Sequence, residues 1–191
     1  MGACLHPLVL MFALGLPALA SAAGSTAIDP AKSTLVVHVG KTGLFSAFGH
    51  EHEIAAPIKR GSFSEDGLSV EFEVDSRKLH VEDKDVSDKD RQSIQERMLG
   101  PAVLDSEKFP EIRFRSTVVD RIKPDEWNVK GELTLHGQTQ PVELRVQKAN
   151  GRYHGIAEIR QKDFGITPTT VGGGAVKVKN ELKIVFDIVG K

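Results

Sequence analysis

The sequence predicts an all-β, antiparallel domain interrupted by one helix, and three stretches carry that prediction. Leu68, Val70, Phe72 and Val74 alternate with Ser69, Glu71, Glu73 and Asp75. Ile112 and Phe114 alternate with Glu111, Arg113 and Arg115, and Trp127, Val129, Gly131, Leu133 and Leu135 alternate with Asn128, Lys130, Glu132 and Thr134. Successive side chains of a strand point to opposite faces, so a period of two marks strands with one apolar face. A one-residue slip in the first stretch would carry its whole apolar set into water.

In chain order, Thr34 to Val39 is β-branched and apolar and reads as the first strand. Lys41 to Ile54 follows as an aromatic-rich segment, and Ile58 to Phe63 as the strand before the alternating stretch. His80 to Asp90 is almost wholly charged or polar, so it reads as an exposed loop whose paired carboxylates, Asp83/Asp85 and Asp88/Asp90, are solvated. It leads into a helix near Ser87 to Leu104, broken or kinked at Gly100-Pro101, where proline has no amide to donate. Lys123-Pro124-Asp125-Glu126 and His136 to Pro141 supply the turns on either side of the Trp127 to Leu135 strand. Val142, Leu144 and Val146 alternate with Glu143 and Arg145, Tyr153 to Ile159 forms another strand, and Lys177 to Val189 closes the chain with Leu182, Ile184, Phe186 and Ile188 on one face. Short strands at regular spacing, separated by Gly/Pro turns, argue for a sandwich or barrel.

Residues 1–22 contain no Asp, Glu, Lys or Arg, and the apolar run Leu8 to Leu16 has the length of a signal-peptide core rather than a membrane span. Ala20-Ser21-Ala22 offers small residues for cleavage before Ala23, with Ala18-Leu19-Ala20 as the second choice. The expectation is a leader over 1–22, a single domain over 23–191 and a periplasmic or secreted location. The only cysteine, Cys4, falls in the leader, which leaves the mature domain without thiol, disulfide or cysteine-held metal. The net charge of −1 gives no reason to expect nucleic acid as a partner.

Catalysis finds little support. There is no G-x-S-x-G elbow, no H-E-x-x-H pair and no glycine-rich loop followed by Lys-Ser/Thr, so the chain is not read as an enzyme. Val171-Gly172-Gly173-Gly174-Ala175 reads as a turn before the last strand. The one polar constellation that stands out is Phe48-Gly49-His50-Glu51-His52. In an extended segment His50 and His52 share a face with Phe48 and Ile54, and two imidazoles on an apolar face need partners. They are candidate metal ligands, with His38, His136 or His154 as the third donor, or candidate contacts to a ligand head group, or a satisfied structural pair.

The ordered series of the helical run DKDRQSIQERMLGPAVLD, then "KFPEIRF", then "GELTLHGQTQPVEL" resembles the YceI-like family of secreted, lipocalin-like lipid-binding proteins, over most of the chain after residue 30. That resemblance implies an antiparallel, eight-stranded, extended lipocalin-like barrel with one helix between strands. It implies a carrier for an isoprenoid or similar amphiphilic lipid, a polyprenyl chain or a quinone tail held in the barrel, with no required cofactor; transient membrane contact and a homodimer are both compatible with that reading, and the sequence does not give the oligomeric state. Such a chain carries no charge to recognise, so affinity comes from a dry tunnel of aliphatic and aromatic side chains. The expected ligand-lining residues are Phe45, Phe48, His50, His52, Phe63, Phe72, Phe109 and Phe114, with His50 and His52 as the metal candidates. The helical region is longer than the family's usual linker, so the tunnel mouth is expected to differ. Two other readings stand beside the carrier: a metal-binding or metal-dependent protein using His50 and His52, and a filled barrel acting through its surface.

Overall fold

The computed structural model describes residues 24–42, 51–171 and 176–191. The leader, Phe45, Phe48, His50 and the glycines at 172–174 lie outside the described residues. Among the described residues twelve strands form one antiparallel sheet. They are β1 (Thr26–Ala27), β2 (Thr34–Thr42), β3 (His52–Ala55), β4 (Ile58–Ser64), β5 (Ser69–Asp75), β6 (His80–Val81), β7 (Glu111–Lys123), β8 (Glu126–Leu135), β9 (Gln138–Ala149), β10 (Arg152–Arg160), β11 (Thr170–Val171) and β12 (Val176–Val189). One helix, α1 (Asp88–Leu99), joins β6 to β7.

The pairings resolve the twelve strands into an eight-stranded barrel. β2 and β3 pair, and so do β1 and β4, so the run 26–42 lies antiparallel to the run 52–64. β4 pairs with β5, and β3 with β6, which makes 69–81 the third run. β7, β8, β9, β10 and β12 then follow as a meander. β12 returns to β2, and Ile28 bridges Gly190 beyond its end, so every long run has a neighbour on both sides. Closure removes the exposed sheet edges that would otherwise invite pairing with another chain. The short β11 pairs only with β12.

Three expectations need correction. Leu68 does not extend the alternating strand: it sits at φ 45° in the β4–β5 turn and is 41 % exposed, because Asp66-Gly67 turns the chain before Ser69. The helix breaks at Gly100-Pro101 as expected but does not resume toward Leu104: it ends at Leu99, since the Gly100 amide closes on Glu96 and Pro101 cannot continue the ladder. The charged stretch after His80 is not wholly solvated, because β6 lies within it and Asp83 is only 7 % exposed. The helix begins as its sequence dictates. The Ser87 hydroxyl accepts from the Asp90 amide at 3.1 Å, with Asp88 and Asp90 in the first turn where the exposed amides favour acid. Gln95 ties α1 to the barrel, accepting from the Val81 amide at 2.8 Å and donating to the Leu79 carbonyl at 2.7 Å.

Candidate functional site

Alternation puts one face of every long strand into the barrel. Leu35, Val37 and Val39 enter from β2, Val70, Phe72 and Val74 from β5, Leu144 and Val146 from β9, and Leu182, Ile184 and Phe186 from β12. They line a cavity of about 620 Å³, within the roughly 300–1,000 Å³ range of ligand pockets. Leu35, Phe63, Phe72, Ile112, Leu144 and Phe186 all point inward yet remain only half-buried. In a filled barrel these side chains would be sealed; here their remaining accessible surface faces the hollow.

Small residues shape the wall. Phe72 and Phe114 face each other in register on β5 and β7, with ring centroids 5.5 Å apart. The Phe114 ring lies over Gly131 of β8, where an added Cβ would meet Phe114 Cζ at 2.5 Å. The Phe186 ring covers Gly155 of β10 in the same way. Interior glycines thus let rings approach the wall where a side chain would otherwise stand.

The two ends differ. The turns β4–β5, β7–β8 and β9–β10 gather at one end, and there the Phe63 ring packs on Tyr153 at a tilt of 59° with centroids 4.6 Å apart, and Tyr153 stands 6.0 Å from Trp127. Glu65, in the β4–β5 turn, accepts a short hydrogen bond from the Tyr153 hydroxyl and another from Lys148 Nζ at 2.6 Å, with Arg121 at 3.7 Å. The Lys148 ammonium beside Glu65, followed by the Tyr153 hydroxyl, holds its carboxyl below the usual glutamate range. Burial, with Glu65 adding to it, pushes the Tyr153 hydroxyl up, so it keeps its proton as donor. At the other end α1 contributes Ile94 and Met98, and Asp90, Ser93, Arg97, Lys41 and Lys177 make the lining polar.

His52 stands at this polar end, opposite Val39 in the β2–β3 register. Its Nδ1 lies 2.5 Å from Asp83 Oδ2, while Asp83 Oδ1 accepts from the Glu53 amide at 2.8 Å. A carboxylate on Nδ1 fixes the ring and leaves Nε2 for a further contact. The three histidines expected as a third donor do not join it: His38 lies 3.6 Å from Glu53, His136 meets the Phe164 carbonyl at 3.1 Å and His154 lies 3.4 Å from Asp187. Among the described residues no three His, Cys, Asp or Glu side chains stand together as a metal site.

Of the expected lining residues, Phe63, Phe72, Phe114 and His52 face the cavity. Phe109 does not: its ring packs on His136 at 4.6 Å and against Gly137 at the β8–β9 turn, outside the lumen. Trp127, Tyr153 and Phe186 line the cavity but were not among the expected ligand residues, although the inward alternation of Trp127 and Phe186 marks them.

A model of the YceI-like domain matches residues 27–190. The chain belongs to the YceI-like family. Among solved structures, BcnA of Burkholderia cenocepacia superposes with a TM-score of 0.59 at 20% identity, covering 84% of this chain and 98% of that one, a likeness of fold. A UPF0312 protein of Pseudomonas syringae pathovar tomato is 32% identical over 98 residues, 46% of this chain and 49% of that protein. A UPF0312 protein of Vibrio cholerae serotype O1 is 29% identical over 139 residues, 65% of this chain and 68% of that one. In the Pseudomonas matches the chain spans about half the length of the curated relative.

Proposed function

We propose that this YceI-like protein is an exported, non-enzymatic carrier that shelters a long-chain isoprenoid, a polyprenyl lipid or the tail of an isoprenoid quinone, in the barrel lumen. The observation that carries the reading is the hollow itself: an almost wholly apolar interior, lined from all sides, that its own side chains do not fill. A core that existed only for stability would close such a space, since unfilled volume costs packing energy. For the same reason the filled-barrel reading has less support. The aliphatic and aromatic lining suits a ligand recognised by burial of apolar surface, at about 25 cal/mol per Å². The polar end beneath α1, with Arg97, Lys177 and the Nε2 of His52, suits a head group left near water. The protein would load and unload through transient contact with a membrane, and a homodimer fits the reading equally well. Metal binding has one described histidine in the lumen, His52, with no cluster of three donors around it among the described residues, and is the weaker alternative.

The test is organic extraction of protein exported by a bacterial host, followed by mass spectrometry, with a detergent-exchanged sample as control. An isoprenoid or quinone in the extract is the expected result. Absence of any long-chain species, together with failure of the emptied protein to take up a prenol, would leave only the fold. Intact mass of the same sample should begin at Ala23; retention of residues 1–22 would refute export by cleavage.

A further inference from the structure

Resting on the carrier reading, we propose that Phe63, Tyr153 and Trp127 form a floor that stops the inserted chain and so sets how many isoprene units the barrel shelters. Along the wall, β1 and β12 stand between β4 and β10. Three strand spacings are about 14 Å, yet the Phe63 and Tyr153 rings are 4.6 Å apart, so they meet across the lumen rather than along it. Trp127, 4 % exposed, fills the space beside them. The floor is braced by charged groups at this end of the cavity. Glu65 reaches over from the β4–β5 turn to Tyr153 and to Lys148, and the cations of Lys148 and Arg121 lie over the Tyr153 and Trp127 rings at 5.3 and 5.4 Å.

A hydrocarbon end that pushed past these rings would have to separate charged, hydrogen-bonded groups and leave Glu65 without partners. At the opposite end the lining is polar and charged, which suits entry of the tail first and retention of the head there. Each isoprene unit that enters then adds affinity until the tail touches the floor. Units beyond that remain at the mouth in water and add nothing. Affinity plotted against chain length therefore rises and then breaks.

The experiment loads delipidated full-length mature protein with farnesol, geranylgeraniol and solanesol, separately and in competition, and reads occupancy by native mass spectrometry. Trp127, the single tryptophan, gives a second readout, since its emission shifts only when a chain reaches the floor. In the wild type, the prenol at which affinity stops rising should be the one that first perturbs Trp127. Phe63→Ala should move that break to a longer prenol and raise its affinity by about tenfold. Phe63→Leu, which disturbs the fold less, should move it the same way by less. Leu135→Ala, at the helix-covered end of β8, should change all lengths by one common factor and leave the break in place. A break that stays put in both Phe63 variants, or that Leu135→Ala moves as far, would overturn the floor. Failure of every prenol to bind the wild type would instead sink the carrier reading beneath it.

Discussion

The tip of the Phe114 ring on β7 occupies the place of a side chain at Gly131 of β8, and the missing side chain of one residue makes room for the ring of the other. The same added Cβ would also approach the Arg115 carbonyl at 2.5 Å, and that backbone belongs to the paired strand and cannot retreat. Gly131→Ala is therefore expected to destabilise the barrel by about 1–3 kcal/mol through overpacking. Adding Phe114→Leu should recover part of the loss, because the smaller side chain frees the site. Urea midpoints of the two single variants and the double variant check this, and purely additive losses would contradict it.

Phe72 faces Phe114 across the β5–β7 pair and remains half-buried on the lumen side. Phe72→Leu should keep the fold at a cost of about 1 kcal/mol and weaken lipid retention modestly. Phe72→Asp places an unpaired carboxylate in an apolar wall, which costs several kcal/mol or forces the group to stay protonated. Thermal unfolding beside lipid content after detergent wash separates the two effects. Equal lipid retention in Phe72→Leu and wild type would take Phe72 out of the binding surface.

Most of the barrel wall was legible because period-two alternation needs no partner to be seen. Trp127, Val129, Leu133 and Leu135, and Leu182, Ile184, Phe186 and Ile188, point inward as their spacing requires. What the alternation cannot carry is the distance between elements. Glu65 and Tyr153 are 88 residues apart, and only closure of the barrel brings their side chains together. Phe109 looked like its neighbours Ile112 and Phe114, but it precedes the start of β7 at Glu111 and turns toward His136 instead. Leu68 continued the alternation in sequence while the turn at Asp66-Gly67 broke it in space. The charged neighbours of Asp83 suggest a solvated side chain, and its burial comes from a strand pairing that no local pattern announces.

Asp83 joins the β6–α1 connection to β3 through His52 and the Glu53 amide, and the Arg91 guanidinium donates to its carbonyl at 2.9 Å. Asp83→Ala removes the acceptor for both groups on β3 and should cost about 2 kcal/mol. His52→Ala should cost less if the buried carboxylate keeps the Glu53 amide. Hydrogen exchange at Glu53 is the specific readout, rising sharply in Asp83→Ala and little in His52→Ala. Unchanged exchange in both would mean that the connection is held elsewhere.

The floor gives acid sensitivity a defined sign. Glu65 has its folded pKa below its ordinary value of 4.5, chiefly through Lys148. A carboxyl with a depressed folded pKa adds stability that is fully present above the unfolded value and disappears as pH falls through the folded one. Melting temperature should accordingly fall as the pH drops below about 4.5, and Glu65→Gln, which cannot titrate, should flatten that decline. It will not abolish it. Glu73 is also held low by the Arg60 guanidinium that donates to it at 2.7 and 2.5 Å, and Asp75 is held down to about 2 by Arg77. Both remain in the variant and supply the residual slope. Because Glu65 braces Tyr153, lipid release should follow the same acid decline in the wild type and lose that component in Glu65→Gln. Parallel pH profiles for the two proteins would show that the brace contributes nothing to the floor.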